Sequence, residues 1–250
     1  MIPIDLSGKN ALITGGTRGI GRAISRRLAE SGANTISVYR GDEETASVSL
    51  AERQGFGIGT HKNIKADIGD EPQVENLIAQ VKTLYPAGLD LLILNAGIGL
   101  SGKVTETDPA DWRRMLDVNL GSAFLLSRGL VPVMRRGGSL IAIGSGSGHD
   151  PIPGLAFYGA AKAGLNMFVA DLAQEVGPMG IRANVVSPGG TDTSFQENAP
   201  SPAEKQENAT HNALRRRGVP DDVAGVVLFL CSDLAGFVTG QAIRVNGAAL

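Results

Sequence analysis

The feature that most constrains this chain is a short apolar run, Asn10-Ala11-Leu12-Ile13-Thr14, that passes directly into Gly15-Gly16-Thr17-Arg18-Gly19-Ile20-Gly21. Beyond it, Ala23, Ile24, Leu28 and Ala29 recur at helical spacing, so the segment reads as strand, glycine loop, helix. Glycines at 15, 19 and 21 let the backbone turn tightly and approach a pyrophosphate, while the helix N-terminus offers free N–H groups and a positive dipole end. The spacing is Thr-Gly-x-x-x-Gly-x-Gly, not the commoner Gly-x-Gly-x-x-Gly.

The rest of the chain keeps this rhythm. Strands are expected near 9–14, 34–39, 60–66, 89–94, 138–143, 181–187 and 241–245, with helices between them. The clearest helix start is Asp108-Pro109-Ala110-Asp111, where Asp108 can cap and Pro109 suits the first helical position. Such alternation predicts an α/β fold: a Rossmann-type doubly wound parallel sheet of about seven strands, with right-handed crossovers and helices on both faces. Ligands then bind beyond the carboxyl ends of the strands. A chain of 250 residues with 42% hydrophobic content can bury a full core as one domain spanning 1–250. Its 34 glycines, about twice the ~7% of average usage, suit many tight strand-to-helix turns. From Gly190 to about Arg217 the strand signal stops and the composition turns polar, with Pro200 and Pro202, which predicts a lid over a site.

A formal charge of −2 gives no large basic field for nucleic acid. Met1-Ile2-Pro3-Ile4-Asp5 lacks the charged and apolar regions of a signal peptide, and no apolar run approaches the ~18 residues of a membrane helix. A soluble, cytoplasmic protein is the expectation. Cys231 is the sole cysteine and follows the apolar run Val226–Leu230, so it is expected as a buried structural thiol. No His/Cys/Asp/Glu cluster has metal-ligand spacing.

Chemistry enters with Tyr158 and Lys162, four residues apart and hence on one helix face. An ammonium within about 6 Å of a phenol, joined by a positively charged nicotinamide, favours the phenolate and is expected to lower the tyrosine pKa from its usual ~10. Read in order, the chain shows Thr14-Gly15-x-x-x-Gly19-Ile20-Gly21, Asp67-Ile68, Asn95-Ala96-Gly97, Asn119 in Val118-Asn119-Leu120, Ser145, Tyr158-x-x-x-Lys162, and Pro188-Gly189 followed by Thr193. Over nearly its whole length it thereby resembles the short-chain dehydrogenases/reductases, of the single-domain type that includes the 3-oxoacyl-carrier-protein reductases.

The resemblance implies a hydride-transfer enzyme acting between a nicotinamide cofactor and a carbonyl or secondary alcohol. It gives Tyr158 the role of proton donor and acceptor, Lys162 that of lowering the tyrosine pKa and holding the nicotinamide ribose, Ser145 a hydrogen bond to the carbonyl oxygen, and Asn119 the ordering of a water relay. Gly15, Thr17, Arg18, Gly19, Ile20 and Gly21 would cradle the cofactor, Asp67 with Ile68 would face the adenine, and Asn95, Ala96 and Gly97 would approach a ribose. Pro188, Gly189, Thr191 and Thr193 would lie along the phosphates and carboxamide. Ser147, His149 and Phe195 are the candidates for substrate contact, and in the family the 190–217 stretch closes over the substrate.

Cofactor choice turns on the end of the second strand, Ser37-Val38-Tyr39-Arg40. NAD-preferring enzymes place an acid there, and an arginine accommodates a 2′-phosphate. Tyr39 occupies the acid's position, Arg40 follows, and Arg18 holds the family's second phosphate-binding position, which together point to NADP(H). Asp42 and Glu43 lie close enough in sequence to compensate. Leu94 and Asn246 depart from the family's frequent Asn and Asp. His149 and Asp150 after Ser145 invite a Ser/His/Asp hydrolase reading, against which stands the lack of a strand-turn-helix nucleophile elbow.

The substrate is open at this level: a carrier-bound 3-oxoacyl chain, a polyketide-like carbonyl, or a sugar or secondary alcohol. Arg135 and Arg136 suit a carrier-protein docking surface beside the active site, but Met179 leaves it incomplete. A non-catalytic NADP(H)-binding regulator is a further alternative. The helix expected over about 154–176 is apolar on several sides, through Phe157, Ala160, Ala161, Gly164, Leu165, Phe168 and Leu172, which predicts packing against other copies. Trp112 is expected as packing, and in the family its helix joins that contact, with a homotetramer the usual result.

Overall fold

The computed structural model of the protein describes residues 4–193 and 212–249. Seven strands form one sheet in which every pairing is parallel: β1 (Asn10–Thr14), β2 (Asn34–Tyr39), β3 (His61–Lys65), β4 (Leu89–Leu94), β5 (Met134–Ile143), β6 (Arg182–Pro188) and β7 (Ala242–Val245). Their order is β3-β2-β1-β4-β5-β6-β7. The chain therefore winds outward from β1 in both directions, and the crevice where the order reverses opens between the carboxyl ends of β1 and β4.

The strands alternate residue by residue between two apolar cores. Leu12, Leu92, Leu94, Leu140, Ala142 and Val185 face one side, which is covered by α3 (Glu71–Leu84), α5 (Ser122–Leu130) and α6 (Ala156–Val176). Ala11, Ile13, Leu91, Ile93, Ile141 and Val186 face the other, covered by α1 (Gly19–Glu30) and α7 (Pro220–Cys231). Cys231 is buried in this second core.

Helix starts follow the expected chemistry. Asp42 caps α2 (Glu43–Gln54), Asp70 caps α3, and Asp108 caps α4 (Pro109–Leu116) with Pro109 behind it. One helical feature was not expected: between α4 and α5 the helix widens into a π turn over Asp117–Gly121, and Asn119 is at its centre.

Strand positions match expectation except at β5, which starts at Met134 instead of 138. Arg135-Arg136-Gly137-Gly138 carries no apolar signal and bulges out of the ladder, whose register against β4 jumps from Leu89 opposite Met134 to Leu91 opposite Ser139; Gly137 takes a positive φ of 83°. Arg135 and Arg136 therefore lie at the amino end of β5, opposite the end that leads to Ser145. Arg135 donates to Asp90, whose carboxylate also accepts from the Asn10 backbone at 2.7 Å. Within one protomer this pair does not flank the catalytic end of the sheet, because the ten residues of β5 separate the two places.

The stretch predicted as a lid is described only at its two ends. There Thr191 and Gly218 form a parallel bridge, the Arg217 Nε donates to Asp192 at 2.8 Å, and Ala213 N donates to the Gly247 carbonyl at 2.9 Å, so both ends return to the sheet edge. Phe195 falls outside the described residues.

Candidate active site

The glycine loop is fixed from two sides. The Thr14 hydroxyl accepts from the backbone N–H groups of Asn95 and Ala96, each at 3.0 Å, and the Asn95 side-chain amide donates to the Thr14 and Gly15 carbonyls at 2.9 and 3.1 Å. This clasps the β1 and β4 loops across the crevice. Close approach explains Gly21, where a Cβ would lie 2.0 Å from the Gly15 carbonyl oxygen. Gly19 is different: its φ is +52°, and the nearest side-chain atom to a Cβ placed there is the Thr193 methyl at 3.5 Å. Thr193, beyond β6, thus reaches over the amino end of α1.

Two arginines face this end without a hydrogen-bond or ion-pair partner among the described residues. Arg18 caps α1 in an extended conformation and is exposed, and Arg40 is exposed just past β2. The acids that might have neutralised them are engaged elsewhere. Asp42 accepts from Thr45 N at 2.9 Å, a bond that holds its carboxyl below the usual range, with the Arg18 charge a lesser cause. Glu43 pairs with Lys65 at 2.7 Å. Asp67 accepts from Gly69 N at 2.9 Å and from Arg114 at 2.6 Å, which ties the loop after β3 to α4. Ile68 is buried beside it.

Beyond β5 the chain turns at Ser145, whose hydroxyl oxygen accepts from Ser147 N at 3.2 Å. A side-chain hydrogen bond joins Ser145 to Tyr158 on the first turn of α6. One turn on, Lys162 is 4% exposed; its Nζ donates to the Ile143 carbonyl at 2.8 Å and lies 5.9 Å from the centre of the Tyr158 ring. Asn119 closes the group. Its side-chain amide donates to Ile98 O at 2.9 Å and Met115 O at 3.1 Å, and its buried carbonyl oxygen has no partner among the described residues. That oxygen faces Gly97, where a Cβ would lie 2.6 Å from it and 3.7 Å from Lys162 Nζ.

The ionisation of the pair departs from expectation. Burial pushes the Tyr158 phenol up to about 12, opposed by the Ser145 hydrogen bond, instead of lowering it. Burial also brings Lys162 down to about 8. Spacing alone shows that the two groups share a helix face; it does not show that the wall of Met115, Phe157, Ile98, Leu100 and Leu155 removes water from Tyr158.

A family model described as Enoyl-(Acyl carrier protein) reductase matches residues 15–248. The 3-oxoacyl-[acyl-carrier-protein] reductase FabG of Aquifex aeolicus is 35% identical over 246 residues, covering 98% of each chain. The chain belongs to the short-chain dehydrogenase/reductase family. Among other relatives, human dehydrogenase/reductase SDR family member 4 is 34% identical, with 97% of this chain and 87% of that protein covered. A short chain dehydrogenase from Burkholderia cenocepacia, solved in complex with NADP, superposes with a TM-score of 0.91 at 33% identity, covering 97% of this chain and 98% of the other. The protein is thus an oxidoreductase of the Rossmann type.

Of the family's motif positions, Ser145, Tyr158, Lys162 and Asn119 come together beyond β4 and β5, and Gly15, Thr17, Gly19, Ile20, Gly21, Asn95, Ala96 and Gly97 line the β1/β4 crevice beside them. Pro188 ends β6, and Thr191 turns its hydroxyl onto the Gly189 carbonyl at 3.1 Å. His149 leaves the set: its Nε2 meets Ser187 Oγ at 3.0 Å and Asn166 Nδ2 at 3.3 Å, behind the serine loop. Asp150 pairs with Arg244 at 2.8 Å, so His149, Asp150 and Ser145 form no hydrolase triad. Asn166 and Ser187 were missed from the sequence; the signal available was that Asn166 follows Lys162 by one helical turn.

Proposed function

We propose that this chain is an NADPH-dependent ketoreductase in which Tyr158 is the general acid and base. The observation that carries the reading is the buried Tyr158 hydrogen-bonded to Ser145, with the Lys162 ammonium 5.9 Å from its ring. Hydride comes from bound NADPH. The chain's own part is to hold the carbonyl oxygen between the Ser145 hydroxyl and the Tyr158 phenol and to protonate it as charge develops there. A phenol near 12 keeps its proton at neutral pH, which suits the reducing direction. Lys162, cationic below about 8, stabilises the phenolate left behind. The unpartnered Asn119 oxygen near Lys162 Nζ supports a relay through which that proton is restored. A sugar or secondary-alcohol dehydrogenase would use the same residues in the oxidising direction.

The cradle fits a dinucleotide: the glycine loop presents the amino end of α1, and Arg18 and Arg40 stand uncommitted where a 2′-phosphate would lie. NADP(H) is therefore the cofactor of this reading, with Asp67 and Ile68 on the adenine side. A homotetramer in the cytoplasm belongs to it as well. Trp112, Phe124 and Met167 are 39%, 52% and 64% exposed on the α4–α6 side, while Phe229, Leu234 and Phe237 are exposed on the α7 side. Two separate exposed apolar groups suit the two self-complementary contacts that a dimer of dimers requires. Part of the α6 surface is already covered from within, since Gly164 packs beneath Leu120.

Tyr158→Phe tests the assignment. Turnover of every carbonyl substrate is expected to fall by at least about 100-fold while NADPH still binds; near-normal turnover would refute it.

A further inference from the structure

Beside Tyr158 the site is bounded by a wall whose composition limits what can bind there. Ile98, Leu100 and Leu155 are half-buried and pack against the cluster of Met115, Phe157 and Tyr158. Backbone bonds fix the two loops that carry the wall: Gly102 N donates to Gly154 O at 2.9 Å, Leu155 N to Ile152 O at 3.1 Å, and Gly159 N to Leu155 O at 2.7 Å. The hydrophobic surface next to the phenol is therefore preformed.

Among the described residues, three cations on the surrounding loops are paired. Lys103 pairs with Glu106 at 3.0 Å, Arg217 with Asp192 at 2.8 Å and Arg244 with Asp150 at 2.8 Å. His149, one of the polar candidates from the sequence, is turned onto Ser187 and Asn166. This is the reverse of the cofactor end, where Arg18 and Arg40 are uncommitted. An ionised group on the substrate would meet apolar side chains and paired cations, and its desolvation would go uncompensated. An alkyl or aryl group would gain from every methylene removed from water.

We propose that the substrate is an uncharged ketone with an alkyl or aryl substituent lying against Ile98, Leu100 and Leu155, and not an ionised carbonyl. This rests on the ketoreductase reading above.

The test is a substrate series with NADPH in saturation: methyl ketones from butanone to octanone, acetophenone, levulinate, and the acetoacetyl thioester of N-acetylcysteamine. The expected result is a rise in kcat/KM of up to about fourfold per added methylene, with levulinate at least about 100-fold below a neutral ketone of equal length. Leu100→Ser and Leu155→Ser should lower the long members more than butanone, so that the gain per methylene shrinks while the dissociation constant for NADPH is retained. A flat wild-type series or a preference for levulinate overturns the substrate class and leaves the ketoreductase reading standing. Absence of turnover with every member, in protein that binds NADPH, overturns both.

Discussion

Lys162 Nζ lies 5.9 Å from the centre of the Tyr158 ring, and both groups are buried. Burial disfavours charge on each: the phenol is held protonated and the ammonium is made easier to deprotonate. Opposite changes in two neighbouring acids leave a broad interval in which the tyrosine is a competent donor and the lysine a cation.

The pH profile of carbonyl reduction follows. Tyr158 keeps its proton up to about 12, so it imposes no loss near neutrality, whereas Lys162 loses its charge above about 8. For a neutral substrate, kcat/KM should be level below about 8 and fall above it. A falling limb on the acid side of neutrality would contradict this assignment.

Lys162 should also cost stability. Its folded pKa of about 8 lies below the ordinary lysine value of 10.5, so the unfolded chain binds the extra proton between those values, and stability rises as pH climbs through that window. Below about 8 the whole penalty applies, on the order of 3 kcal/mol. Lys162→Met removes it but strips the Ile143 carbonyl of its donor, worth about 1 kcal/mol. Urea unfolding at neutral pH should therefore show an inactive variant more stable than wild type by roughly 2 kcal/mol, with a gain that shrinks toward pH 10.5. A lower unfolding midpoint at neutral pH would reject the argument.

Arg40→Ala should weaken NADPH roughly 10- to 100-fold, the size of a lost charge-assisted hydrogen bond, and leave NADH nearly unaffected. Fluorescence titration of both cofactors decides it; equal losses would show that Arg40 meets no 2′-phosphate.

Static light scattering should give a mass near four times 25.9 kDa. Met167→Glu, on the exposed side of α6, should reduce it to half. A wild-type particle at 25.9 kDa with full activity would dismiss both apolar faces as interfaces.

The α/β plan was legible because β1, β4 and the end of β5 are apolar runs at regular intervals, and because Asp42, Asp70 and Asp108 cap helices by local chemistry. The start of β5 was not, since Arg135 through Gly138 bulge out of the ladder between its paired positions. The catalytic set was legible as motif and spacing, but its ionisation depends on burial that only tertiary packing creates. The same is true of Arg53, a fully buried arginine whose guanidinium donates to Thr35 Oγ1 at 2.7 Å and to Asn63, and which reads in sequence as one more surface charge. Which arginines are uncommitted is a property of the folded surface, and it separates Arg18 and Arg40 from Arg217 and Arg244.

The clasp between Thr14 and the Asn95-Ala96 backbone joins residues about eighty positions apart. During synthesis, β1, α1 and β2 leave the ribosome well before β4, so the dinucleotide cradle has one wall missing until the chain has grown past Ala96. Tyr158 and Lys162 emerge later still. The order of translation therefore delivers the residues of the cofactor end before those of the catalytic end, and clasp and acid come together only when the one sheet closes over both cores.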